Sequence, residues 1–409
     1  MFWKGVCERV DLIGKDLVVG VKRKARKQGE REGGAKGVGL NGRNEGCDKE
    51  EGGDGLTDTS GGGCKKVGGA KEKYHRLEPP TSLGNFKRVA KLGSGTYGRV
   101  YRCIDKRKGE GEQGREVALK RFSSKAMGDK KDCGVPQSLI REIENMRLLT
   151  AGVSVGITGI VRLLSTAVGG AEIYLVMEAG VCDLDTAMKR GSLTVSEGWR
   201  AIRDLAEGLR WMRAHGVVHR DIKPTNLVWF NEGCAGGGGG GLKIADFGLS
   251  RREVSTGGYK IEGGDRFDRP YSGKVVSLWY RPPEVLFAGG GGQMEVGEVV
   301  YNETIDIWGM GVVAVELLGG KGCRGRDEKE QRRIVGEMLR VGVCEYFGAT
   351  LKRALRELPM GTKEAIEGAL REGIKERFTA VQFLDIARWE GGEGSLPVLD
   401  NEGKRREKR

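Results

Sequence analysis

The sequence predicts an α+β fold of two lobes, a small lobe built on a β-sheet with one main helix and a larger, mainly helical lobe. The first observation is a series of five short strand-like runs between residues 86 and 178, with one stretch of helical spacing among them. The second is a change of period after residue 181, where apolar residues recur every three or four positions. The third is the length of 409 residues, which exceeds what one compact core holds.

Composition sets the boundaries of these lobes. Glycine accounts for 71 of the 409 residues, and together with lysine and glutamate it dominates much of residues 1–85. Such a segment buries too little apolar surface to offset its ordering entropy, so we predict a disordered extension over 1–85. The folded part is predicted over 86–389, with the small lobe at about 86–178 and the large lobe at about 181–389. The basic segment 390–409 is predicted to be a tail.

Charge and cysteine content limit the class of protein. The net charge of +13 favours acidic partners such as nucleotides or phosphoproteins, but solvated basic ends explain it as well, so nucleic acid is not required as a partner. The basic run 22–27 is either a nuclear-import or phosphate-binding signal or a solvated charge run. The nine cysteines lack metal-ligand spacing, which favours free thiols. With no membrane-length apolar run and no secretory h-region, we expect an intracellular protein, in nucleus or cytoplasm, without a membrane partner.

The small lobe is predicted from its periodicity. The expected strands lie at 86–92, 99–104, 116–122, 160–167 and 172–178. A helix is expected at 136–149, because Pro136 suits a first helical turn and apolar residues follow at helical spacing. These apolar residues are Leu139, Ile140, Ile143, Met146 and Leu149. Residues 178–180 are expected to connect the two lobes.

The large lobe begins with a helix whose apolar face carries Trp199, Ile202, Leu205, Leu209 and Met212. Two short strands at 227–230 and 242–245 flank a run of six glycines at 236–241, which is expected to form a surface loop. The stretch 304–318 is apolar nearly all round and is therefore expected to be a buried central helix. Further amphipathic helices are expected up to residue 389.

Four motifs occur in a fixed order along these elements. Residues 93–100 read GSGTYGRV, 117–120 read VALK, 219–226 read HRDIKPTN, and 246–248 read DFG. A glycine-rich loop alone is more often a plain turn or part of another nucleotide fold. Together the four resemble the signature set of the eukaryotic protein kinases over roughly residues 86–389. The resemblance implies the bilobal protein kinase fold.

The resemblance also implies a phosphoryl-transfer site that uses ATP and Mg²⁺. Asp221 would orient the substrate hydroxyl and accept its proton, and Lys223 would reach the transferring phosphate. Lys120 would pair with the α- and β-phosphates, with Glu142 as its anchor. Hard oxygens suit Mg²⁺, so the implied metal ligands are Asn226 and Asp246. Any one of these residues could be an ordinary surface or turn residue, and a pseudokinase scaffold is the alternative function; no key residue is lost, which favours an active enzyme.

The implied ATP-binding residues surround the predicted cleft. They are Leu92, Gly93, Ser94, Gly95, Thr96, Tyr97, Gly98, Val100, Ala118, Lys120, Met177, Glu178, Gly180, Asp183 and Val228. Glycines let the backbone close over phosphates without a Cβ in the way. The apolar members are equally consistent with core packing, and both interpretations hold together because nucleotide pockets are lined mainly by apolar residues.

Two further stretches are similar to cyclin-dependent kinases of the CMGC group. The helix carrying Glu142 begins PQSLIRE, like the PSTAIRE helix of that family, and residues 278–284 read LWYRPPE. Lysine at 223 goes with Ser/Thr specificity in such families. The resemblance implies protein substrates, proline-directed selection, a cyclin-type activating subunit and an upstream activating kinase. A cyclin-independent kinase of the same group remains an alternative.

The same resemblance implies regulatory residues. Ser272 is the implied activating phosphosite, and Thr96 and Tyr97 form the implied inhibitory phosphorylation pair. Three guanidiniums that meet in space need an anion, so the implied phosphate-binding arginines are Arg141, Arg220 and Arg251. The residues implied to select proline after the acceptor are Val276 and Arg281.

Overall fold

A computed structural model describes residues 80–95, 98–107, 114–122, 137–150, 159–169, 172–231, 240–252, 277–287, 302–320 and 323–387. The predictions for Thr96, Tyr97, Ser272 and Val276 lie outside these ranges, as do those for the basic run 22–27 and the tail, and only backbone placement is described for Ser94 and Gly95. None of the helices within the described ranges is both long and apolar enough to span a membrane.

The small lobe contains a six-stranded sheet. Its strands are β1 (Thr81–Ser82), β2 (Phe86–Gly95), β3 (Gly98–Asp105), β4 (Arg115–Phe122), β5 (Leu163–Gly169) and β6 (Glu172–Glu178), in the order β1-β5-β6-β4-β3-β2. All neighbouring pairs are antiparallel except β1 with β5. The predicted α+β fold is confirmed.

Two predicted boundaries in this sheet need correction. The disordered extension was predicted to reach residue 85, but Thr81 and Ser82 pair with β5 and the side chain of Asn85 donates to Thr81 Oγ1 at 2.7 Å. The fifth strand was predicted from Ile160, but this residue forms only an isolated bridge with Ile244, and β5 begins at Leu163. Both differences arise from long-range pairing, which local periodicity does not report.

One helix of the small lobe, α1 (Gln137–Thr150), follows the predicted pattern. Leu139, Ile143, Met146 and Leu149 are buried, whereas Ile140 is only half-buried. The sheet has its own apolar cluster, to which Val117, Leu119, Leu164, Ala167, Tyr174 and Val176 contribute. These contacts fix the strands, including β4, which carries Lys120.

The large lobe is helical. Its helices are α2 (Leu184–Lys189), α3 (Val195–Ala214), α4 (Pro283–Leu286), α5 (Thr304–Leu317), α6 (Glu328–Val341), α7 (Val343–Arg356, interrupted at Gly348), α8 (Thr362–Ala369) and α9 (Ala380–Ile386). A capping box formed by Thr194 and Glu197 begins α3, because each side chain bonds the other residue's backbone N–H. The prediction of a buried central helix is confirmed, since nearly every residue of α5 up to Val315 is buried.

Two small sheets hold the loops between the lobes. In the first, β9 (Leu227–Phe230) lies between β7 (Cys182–Asp183) and β10 (Gly241–Ile244). In the second, β8 (Val217–Val218) pairs with β11 (Arg251–Arg252). As a result, the start of the HRDIKPTN loop lies beside the strand that follows the DFG motif, and the end of the loop lies beside the strand that precedes the motif.

Candidate active site

The loop that contains Asp221 is held by the central helix. Asp306 of α5 is buried, and its two carboxylate oxygens accept hydrogen bonds from the backbone N–H groups of His219 at 2.6 Å and Arg220 at 2.7 Å. Arg220 has a φ of 69°, a left-handed conformation that is rare for residues other than glycine. Because an anchored carboxylate overdetermines this turn, the next residue, Asp221, is placed at a defined position.

Three side chains meet at the Asp221 carboxylate. Lys223 Nζ lies 2.7 Å from Asp221 Oδ2, and Asn226 Nδ2 donates to the same oxygen at 3.0 Å. Ser277 Oγ donates to Asp221 Oδ1 at 3.0 Å and accepts from Lys223 Nζ at 2.7 Å. The predicted catalytic pair and one predicted metal ligand are therefore within hydrogen-bonding distance of one carboxylate.

The second group of charges centres on Lys120. Its Nζ lies 2.7 and 2.9 Å from the two carboxylate oxygens of Glu142 and 2.7 Å from Asp246 Oδ1. Glu142 is completely buried on α1, whereas the Asp246 side chain keeps 37% of its surface exposed. Strand β4, helix α1 and the DFG turn thus converge on one ammonium group, and only one of its two carboxylates is open to a ligand.

Burial and charge shift the proton affinities of this group. Burial by itself lowers the pKa of Lys120, but the charges of Glu142 and Asp246 outweigh it and the pKa lies above its usual value. Burial, assisted by Asp246, raises the pKa of Glu142 to about 7 although Lys120 opposes the change. Burial also acts to raise the pKa of Asp246, but the charge of Lys120 and its hydrogen bond hold that pKa below the usual range. Asp246 therefore remains an anion at neutral pH.

The DFG turn has the backbone that this arrangement needs. Asp246 is left-handed, with φ 64° and ψ 70°, and Phe247 is fully buried with its ring 5.0 Å from that of His219 in an edge-to-face contact. His219 Nε2 lies 2.9 Å from the carbonyl oxygen of Ala245, and burial lowers the pKa of this histidine. An uncharged imidazole consequently packs under the turn and supports the strained aspartate.

The roof of the cleft is formed by β2 and β3. Gly93 pairs with Val100 across the two strands, and Leu92 is 38% exposed. At Gly98 an added Cβ would lie 1.9 Å from the carbonyl oxygen of Arg121, so only glycine fits beside β4. Ala118 pairs with Met177, the buried residue before the hinge. The predicted apolar and glycine residues of the roof are thus on neighbouring strands.

The hinge passes unusually close to β9. At Gly180 an added Cβ would lie 2.3 Å from Val228 Cγ1 and 2.7 Å from the carbonyl oxygen of Trp229, and Val181 N donates to that oxygen at 2.7 Å. Arg102 is buried and donates to the carbonyl oxygens of Gly180 at 2.8 Å and Val181 at 3.0 Å. This contact ties strand β3 to the hinge.

Two predicted cleft residues also have structural roles. The Glu178 carboxylate accepts hydrogen bonds from Arg162 Nε at 3.0 Å and Lys243 Nζ at 2.9 Å, so its side chain is committed to a buried ion cluster. Asp183 Oδ1 accepts from the backbone N–H of Thr186 at 2.8 Å and begins α2. For Glu178, therefore, only the backbone remains as a candidate contact for a base, while Asp183 keeps a second carboxylate oxygen for a ribose.

The three predicted phosphate-binding arginines lie on separate elements. Arg220 Nε donates to the carbonyl oxygen of Leu249 at 2.7 Å, Arg251 pairs through β11 with Val218, and Arg141 is half-buried on α1. Arg281 Nη1 lies 3.8 Å from Glu328 Oε2. The convergence of Arg141, Arg220 and Arg251 on a phosphorylated Ser272 stays a prediction, since Ser272 lies outside the described ranges.

Sequence reasoning missed three residues that shape the site. Ser277 bonds both predicted catalytic side chains, Asp306 holds the loop that contains Asp221, and Arg102 bonds the hinge. A carboxylate near the start of the mostly apolar stretch 304–318 was a usable signal, because a buried charge needs partners. Ser277 and Arg102 gave no comparable signal, since serine and arginine are ordinary residues beside a turn and on a strand.

Comparison with known proteins agrees with this geometry. A family model described as the protein kinase domain matches residues 86–387. The CTD kinase subunit alpha of Schizosaccharomyces pombe is 32% identical over 62% of this chain, an alignment that covers 36% of that relative. Cell division control protein 2 homolog 3 of Trypanosoma brucei brucei is 33% identical over 58% of this chain and 63% of its own length. Cyclin-dependent kinase 9 of Danio rerio is 29% identical over 76% of this chain and 78% of its own length.

The matches differ in how much of each protein they cover. The chain spans about a third of the Schizosaccharomyces relative and less than two thirds of the Trypanosoma relative. The family match, by contrast, covers both lobes, every described strand from β2 onward and the whole candidate active site. The chain therefore belongs to the protein kinase domain family, and its similarity within that family is to cyclin-dependent kinases.

Proposed function

We propose that this chain is a protein serine/threonine kinase of the cyclin-dependent kinase type, which transfers the γ-phosphoryl group of ATP to protein hydroxyls. The observation that carries the proposal is the joint geometry of two groups. Lys120 contacts both Glu142 and Asp246 within 3 Å, and Asp221 contacts Lys223 and Asn226 within the same range. Phosphoryl transfer depends mainly on such positioning and on charge compensation.

The donor set fits a magnesium ion bound together with ATP. Asp246 offers a half-exposed carboxylate whose pKa is lowered by Lys120, and Asn226 uses Nδ2 for Asp221, which leaves its amide oxygen as the ligating atom. Oxygen ligands of this kind, together with phosphate oxygens, are what Mg²⁺ prefers. Bound MgATP supplies the phosphoryl group and neutralises part of its negative charge. Lys120 is placed to contact the phosphates, with Glu142 holding its ammonium group.

The remaining residues act on the protein substrate. Asp221 orients the attacking hydroxyl and accepts its proton, and Ser277 keeps the carboxylate in position through Oδ1. Lys223 lies between Asp221 and Ser277, where its charge compensates the phosphoryl group during transfer. The hinge backbone at Glu178 and Gly180 is proposed to bind the adenine, with Val100, Ala118 and Val228 packing on its faces.

Partners and regulation are proposed from the relatives. One of them is named a cyclin-dependent kinase and another a cell division control protein, which supports a cyclin-type activating subunit and an upstream kinase that phosphorylates Ser272. The phosphate would pair with Arg141, Arg220 and Arg251. Nuclear or cytoplasmic location is proposed on the same similarity.

A peptide-library assay tests the function directly. The full chain, incubated with MgATP and serine or threonine peptides, should incorporate phosphate, with proline enriched after the acceptor through Val276 and Arg281. An Asp221→Asn variant is the control for contaminating kinases and should be inactive. Equal incorporation by both proteins would refute the kinase assignment, whereas activity without proline enrichment would refute only the proposed substrate class.

A further inference from the structure

A short chain of buried polar groups joins helix α1 to the segment after the DFG motif. Asn145 Nδ2 donates to Ser250 Oγ at 2.7 Å, and Ser250 Oγ donates in turn to the carbonyl oxygen of Phe247 at 2.6 Å. Asn145 is 1% exposed and Ser250 is 0% exposed. The two residues are 105 positions apart in sequence, so the contact links two elements that are distant along the polypeptide.

The series of hydrogen bonds continues into the sheet formed by β8 and β11. Arg252 Nε donates to Asn145 Oδ1 at 3.3 Å, and Arg252 belongs to β11, where it pairs with Val217. The asparagine therefore uses both ends of its amide, one toward Ser250 and one toward Arg252. A buried amide or hydroxyl costs free energy unless its bonds are made. A shift of α1 away from the DFG segment would break the bonds of Asn145 to Ser250 and Arg252, and this loss costs free energy.

The hydrogen bond between Asn145 and Ser250 lies close to the two carboxylates that contact Lys120. Asn145 follows Glu142 by three residues, which is about one helical turn, and Ser250 follows Asp246 by four residues. Glu142 and Asp246 are the two carboxylates that contact Lys120. The Asn145–Ser250 bond thus joins the two elements that must approach each other for both carboxylates to reach one ammonium group.

We propose that Asn145 and Ser250 are positioning residues for phosphoryl transfer, which act as a latch that holds α1 and the DFG turn on Lys120. This inference rests on the proposed function. The latch belongs to this chain itself, so it supplies part of the inward position of α1 without a contact from another protein. It acts through Glu142 and Asp246 and touches neither nucleotide nor substrate.

The chain offers a matched control for the test. Ser165 on β5 is also 0% exposed, but its Oγ has no hydrogen-bond partner among the described residues. Changing serine to alanine at 165 or at 250 removes the same atom from an equally buried place. Both variants lose a buried hydroxyl, but only Ser250→Ala also loses hydrogen bonds. A difference between the two variants in rate or exchange therefore measures the effect of those bonds.

Two readouts on the full chain decide the proposal. Ser250→Ala should lower kcat by about tenfold relative to Ser165→Ala, because a lost buried bond destabilises the productive arrangement by roughly that factor. Amide hydrogen exchange, followed by mass spectrometry without nucleotide, should accelerate in 137–150 and 247–252 and remain unchanged in α5. Asn145→Leu, which keeps the volume and removes the amide, should show the same local exchange pattern.

The two proposals fail differently. If Ser250→Ala matches Ser165→Ala in both kcat and local exchange, or if exchange accelerates equally throughout the protein, the latch is refuted. If the wild-type chain, isolated together with any cyclin-type subunit that co-purifies and treated with an activating kinase, transfers no phosphate, the proposed function is refuted. The exchange comparison alone still decides whether Asn145 and Ser250 hold α1 in place.

Discussion

Two clusters of three charged side chains start from the neighbouring strands β4 and β6 and can be compared directly. In the first, Lys120 contacts two carboxylates, those of Glu142 and Asp246. In the second, Glu178 contacts two cations, Arg162 at 2.9 Å and Lys243 at 2.9 Å. With all groups ionised, the first cluster therefore carries one excess negative charge and the second one excess positive charge.

Exposure separates the two clusters more clearly than charge. Each side chain of the second cluster is at most 7% exposed, and Lys243 Nζ also lies 4.4 Å from the centre of the Phe230 ring. In the first cluster the Asp246 side chain is 37% exposed. A closed cluster satisfies its charges internally and fixes the hinge, whereas an open carboxylate leaves bonding capacity for a ligand. The difference separates a structural ion cluster from a candidate ligand-binding one.

The largest expected effect comes from the open carboxylate. Asp246→Asn should reduce phosphate transfer by roughly 10³-fold, because a neutral amide binds Mg²⁺ less well than a carboxylate. Lys120 keeps Glu142 as its partner, so the melting temperature should stay close to that of the wild type. Initial rates at saturating MgATP together with thermal unfolding measure both quantities. Wild-type turnover in this variant would contradict the metal assignment.

The next effect concerns the closed cluster. Glu178→Gln should lower the free energy of unfolding by about 3–5 kcal/mol, because Arg162 and Lys243 would remain buried without a counter-charge. Glu116→Gln is the matched control, since Glu116 pairs with Arg102 while its side chain is 42% exposed. An exposed partner of this kind is worth no more than about 1 kcal/mol. Denaturant unfolding of both variants measures the difference, and equal losses would show that the hinge cluster is not closed.

A smaller effect is expected from pH. Burial raises the pKa of Glu142 to about 7, so this side chain gains a proton as the pH falls through neutrality and no longer pairs with Lys120 as an anion. The rate should therefore decline from pH 8 to pH 6. The stability contribution has the opposite sign, because a carboxyl group with a raised folded-state pKa stabilises the fold at low pH and loses that contribution as the pH rises through about 7.

The pH profile can be assigned with one variant. Glu142→Gln cannot titrate, so its residual rate should lose the inflection near neutrality while its unfolding curve becomes less dependent on pH. Two results would assign the titration to another group. One is a wild-type rate and stability that both fall as the pH is lowered from 8 to 6. The other is an inflection in the rate profile that persists in Glu142→Gln.

Most of the open cluster was predictable from the sequence, whereas the closed cluster was not. Lys120, Glu142 and Asp246 belong to motifs whose spacing is visible in one dimension, and the structure brings these three together. Glu178 was predicted only as a hinge residue, because its partners come from the segment before β5 and from β10. Nothing in the local pattern of Arg162 or Lys243 distinguishes a buried cation from an exposed one.

The contrast between local pattern and long-range contact also explains which other parts of the fold were predicted correctly and which were not. The buried helix α5 was predictable because apolar residues surround its axis, and Asp306 stands out within it. The pairing of Thr81 and Ser82 with β5 was not predictable, since two polar residues carry no periodicity. Ser277 and Asn145 depend on contacts 54 and 105 residues distant, which only the tertiary structure reveals.

Substitution of the matched lysines tests the central claim that one cluster serves phosphate chemistry and the other does not. Lys120→Met and Lys243→Met each remove one buried ammonium group and replace it with a thioether of similar length. Lys120→Met should reduce phosphate transfer by roughly 10³-fold, since no cation remains to pair with the phosphates. Lys243→Met should keep transfer within about threefold of the wild type, because Glu178 retains Arg162 as a partner. Comparable loss of transfer in both variants, or activity retained in Lys120→Met, would contradict the account.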